Sequence, residues 1–90
     1  MAERLPRPSE AELAILGVLW RRGPSTVREV HDEVSRSEPV RYTTTLKQLQ
    51  VMFEKGLVER DEAARAHVYR AVPSEGRTLR RLARDLVQHA

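Results

Sequence analysis

Ninety residues, 40% of them hydrophobic, suffice for one small domain with a modest core. The absence of cysteine excludes disulfides and thiolate metal sites and suits a reducing cytosol. The net charge is only +3, no stretch is apolar enough to span a membrane, and the polar start MAERLPRPSE does not read as a signal peptide.

Residues 1–8 read as a flexible polar arm. A first helix is expected over about residues 9–22, opened by an S-x-x-E capping box at Ser9 and Glu12. Leu13, Ile15, Leu16, Val18, Leu19 and Trp20 make it apolar on nearly every side, the pattern of a helix buried by neighbours all round. Gly17 would let one of those neighbours approach closely, and Gly23-Pro24 ends the helix. A second helix is expected over about residues 26–35, with Thr26 and Glu29 repeating the capping box. Val27, Val30 and Val34 form its apolar stripe, and Asp32 and Glu33 face out. Pro39 pushes Glu38 away from helical geometry, so residues 37–40 form a loop.

The third helix is expected over residues 42–55. A 3.6-residue period puts Tyr42, Leu46, Leu49, Met52 and Phe53 on one side. Thr43, Thr44, Lys47, Val51 and Glu54 fall on the other, with Gln48 and Gln50 on the flanks. Gly56 stops the helix. Leu57-Val58 begins a strand, residues 61–66 connect, and residues 67–72 alternate and return before Pro73. A fourth helix runs from Ser74 to the end, with Leu79, Leu82, Ala83, Leu86 and Val87 at helical spacing and Arg77, Arg80, Arg81, Arg84 and Asp85 around the rest. No internal repeat or low-complexity tract interrupts this order.

Three helices, a hairpin and a further helix predict a mainly α fold with a small β-hairpin. This is a winged helix-turn-helix over residues 9–73, followed by a C-terminal amphipathic helix over residues 74–90. A helix followed at once by a hairpin can enter the major groove of duplex DNA while the hairpin lies along the backbone. The charge agrees with that: residues 1–40 carry six Arg against seven acids, whereas residues 41–90 hold the positive excess. Charge alone fits ordinary solvation equally well. The candidate contacts are Arg41, Thr43, Thr44, Lys47, Gln48, Gln50 and Val51. Arg41 and the helix start suit phosphate, Lys47 guanine or phosphate, the glutamines adenine, and Thr and Val the thymine methyl. Arg65, near the hairpin tip, is the first choice for a wing contact, with Arg60 and Arg70 behind it. Each residue taken singly is nearly as well explained as a solvated side chain, and Thr43-Thr44-Thr45 as a plain helix start. The whole face followed by a ribbon favours DNA. Tyr69 reads as core, not as a stacking platform, and Asp61 and Glu62 keep the wing from plunging deep into a groove.

These residues resemble the penicillinase-repressor family of bacterial winged-helix regulators, which includes the methicillin-resistance and copper-responsive repressors. The resemblance covers about residues 9–73 and rests on SEAELAILGVLW, TVREVHDEV, YTTTLKQLQVMFEKGLV and the return strand from Arg65. It implies a dimer that binds a palindromic operator and represses transcription. The chain is accordingly read as a cytoplasmic, nucleoid-associated homodimer with double-stranded promoter DNA as partner and no cofactor. Members commonly have a basic residue at the place of Val51, a small polar one at Lys47 and Gly at Ala64. They usually continue into helices that form a dimer domain with a protease-cleavage site, whereas this sequence stops at Ala90. Cleavage and the upstream sensor are therefore not carried over, and copper-type cysteine ligands do not exist here.

For the fourth helix, three uses are open: core packing against the first helix, a dimer interface through Leu79, Leu82 and Leu86, or a lipid-facing surface. The narrow, regular stripe favours the interface, with some core packing. His31, His67 and His89 lie far apart and read as satisfied or exposed histidines, not as metal ligands. The glycines are isolated, and Ser9, Ser25, Ser74, Glu10 and Glu12 are explained by caps and turns, so no catalytic constellation emerges. The competing non-enzymatic reading, a winged helix that binds protein instead of DNA, calls for an exposed apolar patch on the third helix, to which only Val51 points.

Overall fold

Two capping boxes and two glycines at positive φ set helix boundaries in the computed structural model, which describes residues 5–88. Half of the expected arm, residues 1–4, lies outside the described residues, as do His89 and Ala90. The order is α1 (Glu10–Arg22), β1 (Ser25–Thr26), α2 (Val27–Ser37), α3 (Tyr42–Lys55), β2 (Val58–Asp61), β3 (Val68–Ala71) and α4 (Glu75–Gln88). Ser9 Oγ accepts the Glu12 amide at 3.2 Å, and the Glu12 carboxylate accepts the Ser9 amide at 2.9 Å. Thr26 and Glu29 make the same reciprocal pair. There the Thr26 amide, with Arg22 close by, holds the Glu29 carboxyl below its ordinary value. Gly56, at φ 83°, closes α3, and the Leu57 amide reaches back to the Met52 carbonyl at 2.9 Å.

The expected two-stranded ribbon is a three-stranded antiparallel sheet of order β1-β3-β2. Arg60 pairs with Tyr69 and Asp61 with Val68 on one edge of β3, while Ser25 and Thr26 pair with Tyr69 and Val68 on the other. A two-residue strand is too short for alternation to reveal it. Ser25 is fully buried and donates its hydroxyl to the Gly23 carbonyl at 2.9 Å.

Ile15, Leu16, Val18 and Leu19 of α1 meet Val30 of α2, Leu49 and Met52 of α3, and Leu57, Val58 and Tyr69 beyond it. Each large apolar side chain in this cluster contributes roughly 1.5–3 kcal/mol by leaving water. α1 is not enclosed all round. Ala11 and Ala14 are exposed, and Gly17 opens onto a groove shared with Val34 and Val40, since no further element packs there among the described residues. No neighbour uses the space at Gly17; a Cβ there would meet only the Arg21 side chain, at 3.3 Å. α2 runs to Ser37, beyond the expected stop, and Glu33 is half-buried instead of facing out.

α4 touches the body along one edge. Thr78 is buried, Trp20 Nε1 donates to the Pro73 carbonyl at 3.0 Å, and Arg81 donates to the Leu5 carbonyl. Leu5 packs against the core, and Arg7 lies 3.7 Å from Asp85, so the described half of the arm rests on the body. Leu82 is half-buried, but Leu79 and Leu86 remain 52% and 68% exposed. Among the described residues, no helix is long and apolar enough to cross a membrane.

Candidate nucleic-acid interface

α3 is held from behind by Thr45, Leu49 and Met52, all fully buried. Its opposite side leaves Thr43, Thr44, Lys47 and Gln50 exposed, while Gln48 and Val51 are half-buried. Thr43, Thr44, Lys47, Gln48 and Val51 line one shallow depression of about 470 Å³, whose far wall is Ser9 and Glu12 at the start of α1. Gln50 lies outside it, on the other flank. Val51 thus forms part of the floor and does not project like Lys47.

Two side chains expected to face inward do not. Tyr42 and Phe53 are 39% and 37% exposed, and each is covered by an arginine from another element. The Arg28 guanidinium carbon lies 5.3 Å from the Tyr42 ring centroid, and that of Arg60 lies 4.0 Å from Phe53. By the helical period both rings fall inside the apolar stripe, beside Leu46 and Leu49, but they lie in the first and last turns of α3, where the period cannot tell buried from cation-covered. Thr45 was concealed within a threonine run, although it precedes Leu49 by four residues and Met52 by seven. Its Oγ1 lies 3.1 Å from His31 Nδ1, and Ser35 Oγ lies 3.3 Å from His31 Nε2. His31 is thereby a bonded structural histidine, braced edge-on against Tyr42 at 5.4 Å.

The start of α3 differs from those of α1 and α2. Arg41 occupies its cap with no side-chain hydrogen bond; the Thr44 amide turns back to the Arg41 carbonyl at 3.0 Å, and no side chain caps the amides before it, which suit an outside acceptor. Among the described residues, Arg41 and Lys47 make no ion pair. Lys55, at the other end, is engaged: its Nζ lies 2.8 Å from Glu12. Burial alone would raise the Glu12 carboxyl, but Lys55 and the Ser9 amide outweigh it and hold the group below its ordinary value. Exposed Glu54 adds a negative charge near the same end. The uncompensated positive charge on α3 is therefore concentrated in its first two turns.

In the hairpin, Arg65 is exposed in the turn and makes no ion pair among the described residues. Arg60 and Arg70 are occupied, by Glu62 at 2.6 Å and Glu59 at 2.9 Å. The Tyr69 hydroxyl, aided by Glu62 against partial burial, pushes the Arg60 guanidinium further up from its ordinary value. Tyr69 itself is buried in the core. The turn needs no left-handed residue at Ala64: Asp61 Oδ1 accepts the Ala63 amide at 2.9 Å, an Asx closure that serves without glycine.

A three-helix body, a polar and partly cationic third helix, and a hairpin braced beside it define a winged helix-turn-helix protein. Residues 8–90 match the family described as Penicillinase repressor. The chain belongs to that family, whose members are repressors and not enzymes. It is 39% identical over 75 residues to the transcriptional regulator BlaI of Mycobacterium tuberculosis, in two strains, an alignment covering 82% of this chain and 53% of that protein. The chain thus spans about half the length of the curated relatives it matches. Among solved structures, it resembles the DNA-binding domain of the repressor BlaI with a TM-score of 0.71 at 26% identity. It also resembles monomeric Bacillus licheniformis BlaI in complex with the blaP half-operator, with a TM-score of 0.70 at 26% identity. Each comparison covers 82% of this chain and 90% of the other.

Proposed function

We propose that this chain is a DNA-binding transcriptional repressor that works in the cytosol, on the nucleoid, and occupies a palindromic promoter operator as a homodimer. Residues 9–73 make the DNA contact, and residues 74–90 supply the dimer element through Leu79, Leu82 and Leu86. The observation that carries the reading is the outer surface of α3. Thr43, Thr44 and Lys47 stand exposed beside a helix start with no side-chain cap, with Arg41 before it and Arg65 on the wing, neither in an ion pair among the described residues. Gln48 and Gln50 extend the polar surface on either flank, and Val51 offers a small apolar contact. Phosphate contacts from Arg41, Arg65 and the α3 amides supply affinity; base-edge contacts from the other named side chains supply selectivity. The half-operator complex of Bacillus licheniformis BlaI supports duplex DNA as the partner. The alternative of a protein-binding winged helix is disfavoured because the exposed aromatic rings of α3 are covered by arginines.

Titrating a palindromic promoter fragment and a scrambled duplex at several salt concentrations tests this. The expected result is tighter binding to the palindrome and a steep loss of affinity with salt. Equal affinity for both duplexes removes sequence-specific repression, and an affinity indifferent to salt removes DNA binding.

A further inference from the structure

We propose that Arg28 and Tyr42 form an additional backbone-phosphate contact on the α2 flank of the reading helix, a contact that rests on the DNA-binding reading above. Tyr42 is the first residue of α3, just before exposed Thr43 and Thr44 and just after exposed Arg41, so the pair stands at the same end of the helix as that polar cluster. By the helical period Tyr42 falls on the side of Leu46 and Leu49, about 140° from Lys47, yet its ring is 39% exposed and carries Arg28 of α2. A helix lying in a major groove has a sugar-phosphate strand beside its end, within reach of a guanidinium placed there.

The pair is built for the task. Arg28 is exposed and has no carboxylate partner among the described residues. Its charge is engaged by the Tyr42 ring, which leaves guanidinium N–H donors free for a phosphate oxygen. Tyr42 contributes a hydroxyl donor beside it. The ring is braced by the edge of His31, which is in turn fixed by Thr45 and Ser35. A braced stack loses less side-chain freedom on binding than a free arginine would. His31 acts only through Tyr42 and is a positioning residue.

The test is the salt dependence of duplex affinity, measured by fluorescence anisotropy on the full chain and four variants. Arg28→Gln lowers the magnitude of the log–log salt slope by about 1 per bound protomer, about 2 for the homodimer, and weakens palindromic and scrambled duplexes by the same factor. Arg28→Lys restores the slope. Tyr42→Phe keeps the ring and the slope but weakens both duplexes by a smaller common factor. Arg36→Gln makes the same charge change at the other end of α2 and leaves the slope as in the unmodified chain. An unchanged slope in Arg28→Gln, or an equal loss in Arg36→Gln, overturns the contact while the DNA reading stands. A slope of zero in the unmodified chain overturns both.

Discussion

Replacing Lys55 with alanine removes the cation that reaches from the last turn of α3 to the first turn of α1. The Glu12 side chain is only 7% exposed; it keeps the Ser9 amide at 2.9 Å but loses the Lys55 ammonium at 2.8 Å. A hydrogen bond to a charged group contributes about 1.5–3 kcal/mol. Lys55 is itself 40% exposed, so water screens part of the loss and the expected cost is about 1–2 kcal/mol near neutral pH. For a domain of this size that is roughly 5–15 °C in melting temperature. The sign of the pH dependence follows from the depressed Glu12 carboxyl, which lies below its ordinary 4.5 in the folded chain. Stability from the pair is fully present above 4.5 and is lost as pH falls through the folded value. Urea melts of the unmodified chain and Lys55→Ala at about pH 7 and about pH 3 measure this, with the m-value checking that the unfolded states match. The gap between the proteins should shrink at the lower pH. A gap of the same size at both would refute the electrostatic account and leave only packing of the lysine stem.

Lys47→Ala should weaken binding to the palindrome more than to scrambled duplex, by about 1–3 kcal/mol if it contacts a base; equal loss on both would demote it to a phosphate contact. Arg65→Ala should weaken both duplexes by similar factors in the same titration. Leu49→Ala, at a fully buried position, should cost about 3 kcal/mol in a urea melt, and a loss under 1 kcal/mol would contradict the packing described. Leu86→Glu should convert a dimer to a monomer in sedimentation while circular dichroism stays unchanged, since Leu86 is 68% exposed; an unaltered dimer would place the interface elsewhere.

The helix starts were legible because Ser9/Glu12 and Thr26/Glu29 are local devices whose partners lie three residues apart. Gly56 was legible for the same reason: a left-handed stop is a property of one residue. What escaped the sequence depends on partners far along the chain. Arg60 covers Phe53 because the hairpin folds back on α3, and Lys55 reaches Glu12 across 43 residues. Neither leaves a trace in periodicity. Thr45 is a different case, because its spacing to Leu49 and Met52 was visible; the polar side chain masked it, and its hydroxyl is satisfied only by His31 on α2. The outward set at Thr43, Thr44 and Lys47 was readable from the 3.6-residue period. The sinking of Val51 into a depression depended on where α1 begins.

Thr26 has two duties: it caps α2 and pairs with Val68 in the sheet. The hairpin is consequently no free-swinging flap. Any tug on it reaches, through the two-residue strand Ser25–Thr26, the launch point of α2, the helix packed against α3. Displacement of the hairpin and the seating of α3 are mechanically linked.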